Sequence, residues 1–149
     1  MTKVLVSKCL TGALCRYDAC PARAEVQAEY TRALAAIPDA EPVPFCPEEA
    51  GALGTPRPPA WIESTSAAAV LAGHDRVVTD AGRDVTANFR AGAEGALELC
   101  QRHGIEHALL KERSPSCGVH QTHVGDKVVD GPGVTTQLLI DAGIRVEAV

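Results

Sequence analysis

Aromatic residues are scarce in this chain: two Phe, two Tyr and one Trp in 149 residues. So few flat side chains make a poor platform for single-stranded nucleic acid, which is held by stacked aromatics along a basic groove. The formal charge of −5 argues the same way, because sequence-independent binding to phosphate backbones needs a basic face. Only a local basic pocket stays open. No apolar run approaches the roughly 18 residues of a membrane span. Met1-Thr-Lys-Val-Leu-Val6 runs straight into a strand pattern, with no basic segment and long apolar stretch of a secretory signal. A cytoplasmic location is the expectation. Also missing is any Cys-x-x-Cys pair, which removes the ribbon-type zinc signal and the thioredoxin signal. No repeat, heptad or low-complexity tract is present either.

What the chain does have is aliphatic bulk. It is 46% hydrophobic, enough at this length to bury a core without disulfides or a structural metal. Residues 1–149 are expected to form one domain of α/β class, with helices flanking a mostly parallel, Rossmann-like sheet of aliphatic strands. Six cysteines are too sparse for a disulfide framework, and a reducing compartment would not keep one. That raises metal, cluster and catalytic roles, against the plain alternative that free cysteine is a common core residue.

Strands and helices alternate along the sequence. Lys3 to Ser7 reads as the first strand and enters a polar, glycine-marked loop from Lys8 to Asp18. Pro21 is suited to the first turn of a helix, and Val26, Tyr30, Ala33, Leu34 and Ile37 then recur at helical spacing. Pro42 to Phe45 is a short strand stopped by Cys46-Pro-Glu48. Three prolines between Pro56 and Pro59 rule out a regular helix or central strand there; a rigid loop of this kind suits a binding wall. Val70-Leu71 and Arg76 to Thr79, split by Gly73-His-Asp75, read as a small edge hairpin. Asp84 is placed to cap a helix carrying Val85, Phe89, Ala93, Ala96 and Cys100, which stops at His103-Gly104. His107 to Leu110 is a buried strand, followed by Lys111-Glu-Arg-Ser-Pro-Ser-Cys-Gly118. A last helix begins after Gly131-Pro-Gly133, and a strand runs from Ile144 to Val149.

Ligands of open α/β sheets bind outside the carboxyl ends of the strands. Cys9, Cys46 and Cys117 each follow such an end by a short loop, so parallel neighbouring strands would bring the three thiols to one edge. Cys100 sits on an apolar helix face and reads as core; Cys20 is ambiguous. Thiols converging from separate loops can hold zinc or, as thiolates, a [4Fe–4S] cluster. Cys15, six residues after Cys9, is a fourth candidate ligand.

Four motifs make the pattern specific: Ser7-Lys-Cys-Leu-Thr-Gly-Ala-Leu-Cys-Arg-Tyr-Asp18; Phe45-Cys-Pro-Glu48 with Gly54-Thr-Pro-Arg-Pro-Pro59; Val78-Thr79 leading to Gly82-Arg-Asp-Val-Thr86; and Leu110-Lys-Glu-Arg-Ser-Pro-Ser-Cys-Gly118. In this order, over nearly the whole chain, they resemble the thiouracil desulfidase (TudS) family, formerly a bacterial family of unknown function. The resemblance implies an α/β domain with a [4Fe–4S] cluster held by three cysteines, leaving one iron open to the sulfur of a thiolated nucleobase or nucleoside. Carried over by motif, the ligands are Cys9, Cys46 and Cys117, with Cys15 also matching a motif. The activity implied is exchange of C=S for C=O with release of sulfide and no net redox change. A small-molecule substrate and loading by cluster-assembly machinery come with it; membranes do not, and nucleic acid is disfavoured. The chain departs from the family after Cys-Arg-Tyr-Asp18, where Ala19 and Cys20 replace a glycine. It departs again at Trp61, where the family tends to be acidic, and after Gly118, where His120 and His123 stand in place of a glycine-rich hairpin.

For the chemistry, Glu48 is the best-placed general acid/base, since a dry pocket beside a charged cluster suits a carboxyl that must trade protons. A plain surface carboxylate is the alternative. Ser114 and Ser116 are candidates for donating to sulfur or to a developing oxyanion, or else they merely cap the turn; Ser114 is the preferred one. Arg57 and Lys111 are candidate substrate contacts, Arg57 because the proline loop fixes its backbone. The competing function is a non-catalytic zinc- or cluster-binding module that carries sulfur or senses oxidation.

Overall fold

The structure is a computed structural model describing residues 1–149. Its main sheet holds four strands, β1 (Thr2–Ser7), β2 (Ala40–Phe45), β5 (His107–Leu110) and β8 (Arg145–Ala148), in the order β2-β1-β5-β8. All three pairings are parallel, so every carboxyl end faces the same edge. Side chains alternate across the pleat. Val4, Val6 and Leu109 pack on one face with Leu10 and Tyr30, the latter from α1 (Ala24–Ala35). Leu5, Ala108 and Leu110 pack on the other with Ala96 and Cys100 of α4 (Thr86–His103) and Leu139 of α5 (Val134–Asp141). This is the three-layer α/β arrangement expected, with Cys100 in the core.

A second sheet was not legible from the sequence. It is mixed, in the order β4-β3-β6-β7, formed by β3 (Ala60–Ile62), β4 (Val77–Thr79), β6 (Gln121–Val124) and β7 (Lys127–Asp130). Its core joins Ile62, Val70 and Val77 to Phe89 and Ala93 of α4. One 18-residue helix thus serves both cores, its first half the small sheet and its second half the large one.

Three local expectations are corrected. The edge hairpin does not exist: residues Ala67–Leu71 form a short helix, α3, capped by the Ser66 hydroxyl, which accepts from the Ala69 N–H at 3.1 Å. β4 pairs antiparallel with β3 instead. Pro21 lies before α1, whose N-cap is Arg23. Asp84 does accept from the Thr86 N–H at 2.9 Å, but the N-cap itself is Val85. No helix is long and apolar enough to cross a membrane.

Candidate active site

The loops after β1, β2 and β5 leave adjacent parallel strands, and together with the proline loop they enclose a cavity of about 510 Å³. Every candidate ligand, catalytic and substrate-contact residue named from the sequence lines it: Cys9, Cys46 and Cys117, then Cys15, and also Glu48, Arg57, Lys111, Ser114 and Ser116. Cys20 stays outside and exposed, its thiol turned to the Asp18 carbonyl.

Each thiol is held by a different device. Cys9 sits in a 3-10 turn, Lys8–Thr11, that directly continues β1. Cys46 is the N-cap of α2 (Pro47–Ala50), with Pro47 in the first turn where its missing N–H costs nothing. α2 is seated on α4 through bare backbone. A Cβ on Gly92 would lie 2.0 Å from the Pro47 carbonyl oxygen, so only glycine permits this approach. The Asn88 side chain donates across the same contact to the Gly51 carbonyl at 2.8 Å.

Cys117 is fixed by the start of α5. A helix N-terminus has N–H groups without intrahelical partners, and here they are spent on the cysteine loop. Val134 N–H donates to the Pro115 carbonyl, and Thr135 and Thr136 N–H donate to that of Ser116, at 2.8, 2.9 and 3.2 Å. The Thr136 hydroxyl donates to the Cys117 carbonyl at 2.9 Å. Gly133 lets the strands of this knot touch, since a Cβ there would meet the Ser116 carbonyl carbon at 2.6 Å. On the other side Glu112 gathers the loop: its carboxylate accepts from the N–H groups of Val119, His120 and Gln121. Burial alone would raise that carboxyl's pKa, but the backbone donors outweigh it and hold it below the usual range.

The two serines have different duties. The Ser114 hydroxyl oxygen accepts from the N–H groups of Ser116 and Cys117, both at 3.2 Å, as a turn cap does. Ser116, fully buried, turns its hydroxyl to the Cys117 sulfur at 3.8 Å. Ser7, which opens the first motif, accepts from the Lys111 N–H at 2.9 Å.

Glu48 and Arg57 form one unit across the proline loop. The guanidinium donates to Glu48 Oε2 at 2.7 Å, and both side chains are largely buried, at 17% and 6% exposure. Arg57 Nε remains buried without a partner. The Tyr17 carbonyl accepts from the Arg57 N–H at 2.7 Å, tying the loop of Cys15 to the proline loop. Glu49 was passed over in the sequence. Its carboxylate comes within 4.8 Å of the Cys15 and Cys46 sulfurs, while bonding Lys8 at 3.2 Å and Thr55 at 3.1 Å.

Without a metal, Cys15, Cys46 and Cys117 keep their protons at neutral pH. Burial pushes Cys117 up to about 12. For Cys15 the hydrogen bond with Cys46 pulls downward, but the one with Cys9 and burial prevail, giving about 11. Cys46 is raised furthest, first by its bond to Cys15 and then by burial. Burial lowers Lys111, whose ammonium donates to the Glu112 carbonyl at 3.2 Å. The donor set suits a thiophilic metal group: four thiols facing one cavity, with Lys8, Arg16, Arg23, Arg57, Lys111 and Arg113 around it to offset thiolate charge. His123 also lines the cavity, its Nδ1 spent on the Arg113 carbonyl at 2.7 Å, and His120 is paired with Glu112.

A doubly flanked parallel sheet with a thiol-lined, cation-rimmed cavity at its carboxyl edge defines an α/β protein built to hold a metal group beside a small ligand. The profile of the 2-thiouracil desulfurase family matches residues 4–148, and the chain belongs to that family. It is 37% identical over 146 residues to the uncharacterized protein YbbK of Bacillus subtilis (strain 168), covering 96% of this chain and 93% of that one. Among solved structures it is similar to a [4Fe–4S]-dependent thiouracil desulfidase, TudS, with a TM-score of 0.77 and 40% identity over 99% of this chain and 91% of that chain.

Proposed function

We propose that the chain, as one domain, is a [4Fe–4S]-dependent desulfidase that converts the C=S of a thiolated nucleobase or nucleoside to C=O. The observation that carries this reading is the convergence of four thiols, Glu48 and Arg57 on one cavity, in a chain of the desulfurase family. Cys9, Cys46 and Cys117 are the proposed ligands, with Cys15 beside them. Bound through three thiolates, the cluster would leave one iron as a Lewis acid for the substrate sulfur.

The protein's own part is to position the substrate and move protons. The balance is one water consumed and one sulfide released per C=S replaced, with no electron gained or lost. Glu48, held in place by Arg57 on Oε2, is the base that removes a proton from the attacking water. Ser116 donates towards sulfur at Cys117, while Ser114 shapes the turn that presents it. Arg57 Nε–H and the Lys111 ammonium are the donors for the substrate's ring acceptors. The cationic rim favours substrates that carry an anionic group. We place the enzyme in the cytoplasm, where cluster-assembly machinery would load it.

The test is anaerobic reconstitution followed by iron and acid-labile sulfide analysis, with sulfide release from 2-thiouracil, 4-thiouracil and their nucleosides and nucleotides. Cys117→Ser should lose the iron, and Cys15→Ser should keep it; the reverse result moves Cys15 into the ligand set. The trio Cys15, Cys46 and Glu49 favours one other reading, a zinc-binding module without turnover. One zinc, no labile sulfide and no sulfide release would establish that instead.

A further inference from the structure

We infer that Trp61 is the stacking wall for the substrate's ring, a specificity-determining contact opposite in kind to the thiols that would hold the cluster. This rests on the desulfidase reading above and adds to it the group that recognises the base as a flat heterocycle.

Three observations support it. First, Trp61 occupies the middle of β3, where side chains alternate between faces. The next residue, Ile62, is fully buried in the core of the second sheet with Val70, Val77 and Phe89, so Trp61 takes the other face and lines the cavity. Second, the cavity is lined by 23 residues of 149, and a random draw would put fewer than one of the chain's five aromatics there. It holds three: Tyr17, Phe45 and Trp61. Phe45 belongs partly to the core of the main sheet, whereas Trp61 is packed into none of the cores. Third, four residues before Trp61, Arg57 also lines the cavity, and its buried Nε–H has no partner. A π-face and a guanidinium on one cavity match a planar ring that offers its face to one and an in-plane acceptor to the other.

The measurement uses Trp61 as its own reporter, because it is the chain's one tryptophan. Uracil, which has no sulfur, is titrated into the cluster-loaded protein while Trp emission is followed, and KM and kcat are measured for 2-thiouracil. Saturable quenching by uracil is expected, over the same concentrations at which uracil inhibits sulfide release. Trp61→Leu should raise KM for 2-thiouracil by roughly 5- to 150-fold, the range that base–aromatic stacking supports, with kcat changing far less. Trp61→Phe should recover most of that loss. Absence of quenching, an unchanged KM in Trp61→Leu, or a loss that Trp61→Phe does not recover overturns the assignment. Should Trp61→Leu fail to load its cluster, the quenching of the unaltered protein decides alone. Sulfide release indifferent to Trp61 sinks this inference and leaves the desulfidase reading intact; quenching by uracil without sulfide release from any thione does the opposite.

Discussion

Gly92→Ala is a substitution whose sign separates two physical effects. Position 92 lies within α4, and replacing a mid-helix glycine by alanine normally stabilises by about 1 kcal/mol through lower backbone entropy loss. Here the added methyl would stand 2.0 Å from the Pro47 carbonyl oxygen and 2.7 Å from its carbon. No flexible side-chain end is available to yield, so α2 must shift as backbone. Overpacking of this kind costs about 1–3 kcal/mol and sometimes more, which outweighs the propensity gain. Because Pro47 follows Cys46 directly, the shift also displaces a proposed cluster ligand. Gly95→Ala on the same helix is the control: its methyl would meet the tip of the Phe45 ring at 3.3 Å, a side-chain end that needs to yield only a few tenths of an ångström. Urea denaturation of the metal-free proteins should place Gly92→Ala below the wild type and Gly95→Ala at or above it. Iron content after reconstitution should fall in the first and not in the second. A Gly92→Ala protein more stable than the wild type, or one that is destabilised yet loads fully, would refute the claim that this helix contact positions Cys46.

Other outcomes follow from the site. Glu48→Gln keeps an acceptor for Arg57 but removes the proposed base, so iron content should hold while kcat falls by roughly 10²- to 10⁴-fold; an unchanged rate of sulfide release takes Glu48 out of the mechanism. The metal-free protein should lose stability in alkali. Cys117 and Cys15 are raised from the unfolded value of 9.0 to about 12 and 11, so above pH 9 the folded state binds more protons than the unfolded one. Stability is then full below pH 9 and declines through pH 11–12, each such thiol adding about 1.4 kcal/mol per pH unit to the slope. Chemical denaturation from pH 8 upward measures it, and a flat profile would contradict the burial of these thiols as protonated groups. The same protons must leave when metal binds, so zinc affinity of the metal-free protein, read by competition with a chelator, should rise with pH across the neutral range.

Much of this site could be read from residue order, because the rule that places ligands at carboxyl strand ends needs only strand assignments and their parallel pairing. β1 and β5 carry aliphatic signals and β2 a short apolar one, and Cys9, Cys46 and Cys117 each follow within a short loop. The small sheet was out of reach for a physical reason. β3 and β4 are three residues each, too short for a period-2 pattern, and Val70-Leu71 imitates a strand although it ends a run of alanines behind a serine cap. The pairing of Glu48 with Arg57 was also invisible. The two were assigned separate roles, and nothing in a proline-rich loop's composition says that it folds back over nine residues onto the carboxylate at its start. Glu112 and Ser7 were missed because each accepts from backbone N–H groups elsewhere in the chain, a relation that belongs to the fold alone.

The most direct measurement is the product balance of the reconstituted protein with 2-thiouracil, under strict anaerobiosis, with no electron donor or acceptor added, in water enriched in oxygen-18. Uracil and sulfide should appear in equal amounts over many turnovers, and the new carbonyl should carry the heavy oxygen. Turnover that demands a reductant, or uracil formed without matching sulfide, would contradict a non-redox desulfidase at this cavity.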